Sequence, residues 1–176
     1  MQPKDYYEEK KRDEKIREAN KGLELFYSII KKKNEKSEGY YYECLSTVDE
    51  YSNYDIQIQK HPIEDWGDVE ISYHEIKVRG DNYSYTTYTD SCIDQFKIRQ
   101  LQKIAYMSGK DVFVNMFYPA DRTLLIWKID PEIEYPTKKM TNVTWKSATI
   151  ATNEIVKIPC KDFVLLNNDD AVKIRY

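Results

Sequence analysis

Asp68-Val69-Glu70-Ile71-Ser72-Tyr73-His74-Glu75-Ile76-Lys77-Val78-Arg79 is the stretch on which the reading of this chain turns. From Ile71 onward it is rich in β-branched and aromatic residues, and Gly80-Asp81-Asn82 supplies a turn to end it, so it reads as a strand. Successive strand side chains project to opposite faces. Glu75, Lys77 and Arg79 therefore share one face, while Ile76 and Val78 share the other and can anchor in a core. Three charges on one face are commonly a solvated surface, which would contribute little to stability. The segments on either side of the strand decide whether this face is one.

Upstream, Tyr54-Asp55-Ile56-Gln57-Ile58-Gln59 alternates cleanly, with Tyr54, Ile56 and Ile58 on one face and Asp55, Gln57 and Gln59 on the other. His61-Pro62 is expected to stop this strand, and 62–67 to link it to the next. Two strands joined by a short link are most simply antiparallel neighbours, which would bring Asp55 to the face of Glu75 and Lys77. Asp65, in the link, and Asp68, at the start of the next strand, are the competing aspartates. Before them come a strand over Tyr40 to Val48 and a polar break from Asp49 to Asn53. Earlier still, Ile16, Ala19, Leu23, Phe26, Tyr27 and Ile30 recur at helical spacing and predict a helix from Tyr6 to Asn34. Its first half is nearly all polar. Residues 1–22 are therefore expected to form a charged helical extension, and 23–176 the domain proper. Glu24 lies beside the apolar stripe, as an exposed edge charge or an additional site residue.

Downstream, a polar loop from Asp81 to Thr89 carries Tyr83, Tyr85 and Tyr88. Thr89 or Asp90 is expected to cap a helix that runs to Ser108 and stops at Gly109. Ile93, Leu101, Ile104 and Ala105 form its buried stripe. Lys97 falls inside that stripe and Gln100 at its margin beside Phe96. A lysine there must snorkel out or meet a buried anion. Asp111 to Tyr118 and Thr123 to Ile129 then predict a hairpin. A long connection follows, with short strands near Val143 to Trp145 and Ile155 to Ile158, and a helix or strand from Lys161 to Leu166.

Composition bounds the class without naming a function. At 176 residues, 41% hydrophobic and 32% charged, the chain is one soluble domain of ordinary size. No apolar run approaches the roughly 18 residues of a membrane span, and no apolar leader centre is present, so no membrane partner is expected. The three cysteines, Cys44, Cys92 and Cys160, are scattered and unpaired with histidine. That argues against zinc and for a reducing, cytoplasmic setting. A net charge of −3 provides no global field for nucleic acid.

The order helix, three strands, helix, two strands, with Asp55 on the second strand and Glu75-x-Lys77 on the third, resembles the PD-(D/E)XK, or restriction-endonuclease-like, nuclease superfamily. The resemblance spans Leu23 to Ile129. Asp55 lies 20 residues upstream of Glu75, and the helix that follows carries Lys97 and Gln100, where members often place a phosphate-contacting lysine or glutamine. One departure is that Tyr54, not proline, precedes Asp55. The resemblance implies an α/β fold, a mixed central β-sheet flanked by helices. It implies a nuclease cutting DNA rather than RNA with Mg²⁺ or Mn²⁺, held by Asp55, Glu75 and the Ile76 carbonyl. Lys77 would orient the attacking water, Lys97 would offset phosphate charge, and Gln100, Arg79, Tyr83, Tyr85 and Tyr88 would contact nucleic acid. A homodimer is compatible with this reading. The competing expectation is a non-catalytic nucleic-acid-binding or protein-interaction module on the same fold.

Overall fold

Proline-free, Lys/Glu-rich sequence after Pro3 gives a single unbroken helix, α1 (Pro3–Lys36), in the computed structural model of the chain. The structure describes residues 3–47, 53–64, 67–140, 143–145, 155–157 and 161–176. The second half of α1 packs. Ile16 is 46% exposed and Ala19 is exposed, whereas Gly22, Phe26 and Ile30 are buried. Gly22 marks the closest approach to the sheet: a Cβ there would lie 2.8 Å from Cγ2 of both Ile76 and Val78.

Three strands follow as an antiparallel meander, β1 (Tyr40–Ser46), β2 (Ile56–Pro62) and β3 (Glu70–Val78). After β4 (Asp90–Asp94) and α2 (Gln95–Ser108) the chain returns as β5 (Asp111–Tyr118), parallel to β3, and β6 (Thr123–Lys128) turns back against it. β7 (Thr137–Met140), β8 (Val143–Trp145), β9 (Ile155–Lys157), β10 (Lys161–Asn167) and β11 (Val172–Arg175) complete the chain. The main sheet runs β1-β2-β3-β5-β6-β11, a smaller one runs β4-β10-β7, and β8 pairs with β9. This is a mixed α/β single domain. Alternation along the strands divides the core. Phe26 and Ile30 of α1 meet Ile56, Ile58, Ile76 and Phe117 on one face, and Ile98, Leu101 and Ala105 of α2 meet Val112, Val114 and Met116 on the other.

Four expectations need correction. The helix after the tyrosine loop begins four residues later than Asp90, or five later than Thr89, would set it. Asp94 is its cap, accepting the Phe96 N–H at 2.9 Å. Asp90–Asp94 is instead a strand because β10, some 70 residues further on, pairs with it, and no local signal reports such a partner. His61 and Pro62 lie within β2 rather than stopping it, paired to Tyr41 and Tyr40 at the end of the ladder. Tyr54 departs from the face of Ile56 and Ile58, because the chain bends before β2 and its ring packs on Tyr73, 4.7 Å between centroids. Finally, two strands form where none was expected: β7 pairs with β10, and β11 completes the main sheet against β6. The stop of α2 is as read: Gly109 sits at φ 61°, and its N–H caps the Ala105 carbonyl.

Candidate active site

The β2–β3 ladder ends at Ile56↔His74, while β3 continues to Val78 beside β5. From Glu75 onward the β2 side of β3 is therefore open. Asp55 occupies the opening. Its N–H donates to the His74 carbonyl at 3.0 Å, and its Oδ2 accepts the Ile76 N–H at 2.6 Å. Thr47 steadies the bend by donating its backbone N–H to the Asp55 carbonyl at 3.2 Å and its hydroxyl to the Tyr54 carbonyl at 3.1 Å. The N–H and C=O of one strand residue point the same way, so the Ile76 carbonyl faces the side that Asp55 occupies.

Glu75 projects toward α2 and is 0% exposed. Its Oε1 lies 2.5 Å from Lys77 Nζ and its Oε2 lies 3.0 Å from Lys97 Nζ. The charged face of β3 is thus not a solvated surface. α2 roofs it, and the stripe position of Lys97 delivers its ammonium to a buried carboxylate. Burying one charge without a partner is prohibitive, and a pair or triad is tolerated only when its members satisfy each other. Asp55 completes a cluster of two carboxylates and two ammoniums with no net charge. Burial and the neighbouring charge of Glu75 push the Asp55 carboxyl above its ordinary range, against the pull of the Ile76 N–H and of Lys77 and Lys97. Two carboxylates that repel each other in a partly dry site suit a hard divalent cation, which takes one or two carboxylates and keeps several waters. Asp55, Glu75 and the Ile76 carbonyl fit Mg²⁺ in donor type, provided the lysines give way on Glu75. Among the described residues there is no group of three or more His, Cys, Asp or Glu side chains that would hold a metal without water or backbone.

A cavity of about 430 Å³ adjoins the cluster, lined by Lys77, Arg79, Cys92, Phe96, Lys97, Gln100 and Phe163 among others. Gln100 lines the cavity beside Phe96. Arg79 lines the same cavity, but its guanidinium donates to the Cys92 carbonyl and to Met116 Sδ. A contact from Arg79 to a nucleic-acid backbone would compete with these bonds. In the tyrosine loop, Tyr85 packs inward with its ring edge on Tyr118 at 6.0 Å, and its N–H donates to Asp121. Tyr83 and Tyr88 stand exposed. Glu24 is exposed on α1, across the sheet from Glu75, and Asp68 is exposed on the approach to β3. Asp65 lies outside the described residues.

His74, buried on the α1 face of β3, has a partner on each ring nitrogen. Ser72 Oγ lies 2.9 Å from His74 Nε2, and Asn115 Nδ2 lies 3.1 Å from His74 Nδ1. Asn115 Nδ2 also donates to the Glu75 carbonyl at 3.3 Å, which fixes the orientation of its amide. Nδ1 is therefore an acceptor, so the proton of a neutral ring sits on Nε2 and is donated to Ser72. A serine that receives a proton in this way is not activated as a nucleophile. Burial lowers the His74 pKa from its ordinary 6.5 to about 4, so the ring is neutral at pH 7. Asn115 is the residue that sequence reasoning missed. A lone asparagine within an otherwise apolar strand was its only signal. Phe163, on the cavity wall, gave none.

The geometry stands without support from likeness to other proteins: no family model, no curated protein and no solved structure matches the chain.

Proposed function

We propose that this chain is a metal-dependent phosphodiesterase of the restriction-endonuclease-like kind, acting on nucleic acid. The observation that carries the reading is Glu75: a fully buried carboxylate, next to Asp55, held between two lysines at the wall of an open cavity. Supporting it is the sheet, a meander β1-β2-β3 joined through α2 to a parallel β5, with one helix on each face. A mixed central sheet flanked by helices is what the PD-(D/E)XK resemblance implies.

Phosphodiester hydrolysis needs a placed water and relief of the charge that builds on the phosphoryl oxygens. Asp55 and Glu75, with the Ile76 carbonyl, would hold Mg²⁺ or Mn²⁺, which when bound supplies Lewis acidity at the phosphate. Lys77 is 43% exposed and reaches the cavity from the strand. Displaced from Glu75, its ammonium orients the attacking water. Lys97, brought in from the opposite wall by α2, sets positive charge against the non-bridging phosphate oxygens. Gln100 donates a hydrogen bond to the same group.

One observation favours the alternative of a binding module. Both Glu75 oxygens are already neutralised by lysine, so the cluster is self-sufficient as it stands. Cleavage assays separate the two. Wild-type protein with Mg²⁺ or Mn²⁺ is expected to cut single-stranded, duplex or branched nucleic acid, and EDTA to stop it. Glu75→Gln keeps the shape of the side chain and removes the charge that holds the ion, and Lys77→Met keeps the stem and removes the ammonium. Each is expected to slow cleavage by about 10²–10³-fold. Wild-type protein that is inert on every substrate with both metals would leave only the binding module.

A further inference from the structure

The cavity beside Glu75 does not end at α2. Phe96 and Gln100 line it and also line a second cavity of about 740 Å³ that runs along the outer face of the helix. The walls of the two carry five cations, Lys77, Arg79, Lys97, Arg99 and Lys103, against one carboxylate, Asp94, in a chain whose net charge is −3. α2 itself has three basic residues and no acidic one. Lys77, Lys97 and Arg79 are engaged by Glu75 and Cys92, whereas Arg99 and Lys103 make no ion pair among the described residues. Steps of three or four residues put Phe96, Arg99, Gln100, Lys103 and Met107 along one flank. Phe96, at the junction of the two cavities, is 69% exposed, and Met107 is 74% exposed.

We propose that this groove is the track of a single-stranded nucleic acid leading to the Glu75 cluster. The assignment rests on the phosphodiesterase reading and specifies its substrate. Arg99 and Lys103 take successive phosphates, and the face of Phe96 takes a base. The charge excess selects a polyanion. The bare aromatic ring selects one whose bases have free faces, which duplex bases, stacked on their neighbours, do not offer.

Binding measured in EDTA tests this without any cleavage. The probes are a fluorescein-labelled oligo(dT) of about 12 nucleotides and a duplex of the same length, read by anisotropy across a salt series. Wild-type protein is expected to hold the single strand more tightly than the duplex. Phe96→Ala is expected to weaken single-strand binding about tenfold and leave the duplex unchanged. Its exposed position keeps the fold intact, which a thermal melt verifies. Arg99→Gln with Lys103→Gln is expected to lower the slope of log K against log salt by about 1.4, the value for two phosphate contacts on a single strand. Lys31→Gln with Lys32→Gln, exposed on α1, makes the same change in charge and is expected to leave the slope unaltered. Equal losses from the α1 pair, an equal effect of Phe96→Ala on duplex, or equal displacement by poly-glutamate would overturn the proposal. An enzyme that cleaves but ignores Phe96, Arg99 and Lys103 would refute the groove alone. A protein that binds single strands through them but never cleaves would refute the phosphodiesterase alone.

Discussion

Strand β3 presents two chemistries to the two helices. Toward α1 it offers Ile76 and Val78, so close that only a glycine fits opposite, together with His74, whose ring nitrogens are both hydrogen-bonded. Toward α2 it offers Glu75 and Lys77, and α2 answers with Lys97. Ile76 and Glu75 are both buried, but for different reasons. Contact and apolar area hold the α1 face, where the His74 ring has a partner on each nitrogen. The α2 face holds charges that a well-packed apolar cluster could replace at no loss of stability. Charge kept in a dry place, beside an open cavity, points to chemistry rather than to folding.

That comparison can be broken most forcefully at Phe117, which is 0% exposed on the α1 face. Phe117→Ala is expected to lose about 3–5 kcal/mol of unfolding free energy in urea. A loss below ~1 kcal/mol would mean that this face is not the structural one.

His74 sharpens the same point through pH. Its proton is bound more readily by the unfolded chain, since burial, with a smaller push from the charge of Lys33, lowers its pKa from 6.5 to about 4 in the fold. Stability is therefore full above pH 6.5 and is lost as pH falls from there toward 4, by about 3 kcal/mol in all. Denaturation across this window, in wild-type protein and in His61→Gln, measures it. The loss should persist in the variant, whose only histidine is His74.

Gly22→Ala tests how tight the α1 contact is. Alanine gains roughly 1 kcal/mol of helix propensity. Its Cβ, however, meets two methyls at 2.8 Å, and both belong to β-branched side chains with little freedom to turn away. Overpacking of about 1–3 kcal/mol should win. A variant more stable than wild type would show that the helix can lift off the sheet.

The smallest effect is expected on the other face, and with the opposite sign. Asp55→Asn can still accept the Ile76 N–H but removes a carboxylate that burial and Glu75 destabilise. Without metal at pH 7 it is expected to raise Tm by roughly 2–4 °C while abolishing cleavage. Because the folded Asp55 binds its proton more readily than the unfolded one, the advantage should fade as pH falls and the wild-type carboxyl becomes protonated. A lowered Tm would make Asp55 a structural bond rather than a metal ligand held at a cost.

Sequence alone determined what is periodic or local. Alternation put Glu75 and Lys77 opposite Ile76 and Val78, helical spacing put Lys97 inside a stripe, and Gly109 stopped α2. Those signals come from neighbouring residues, whose geometry is set by the backbone itself. Tertiary structure decided everything that needs a distant partner. It made Asp90–Asp94 a strand through β10, turned Arg79 inward onto Cys92, gave His74 both Ser72 and Asn115, and roofed the charged face of β3 with α2. A row of charges on a strand looks the same in sequence whether water or a helix covers it. What distinguishes the two is desolvation, a property of the packed chain, and in this protein desolvation makes a candidate site of Asp55, Glu75, Lys77 and Lys97.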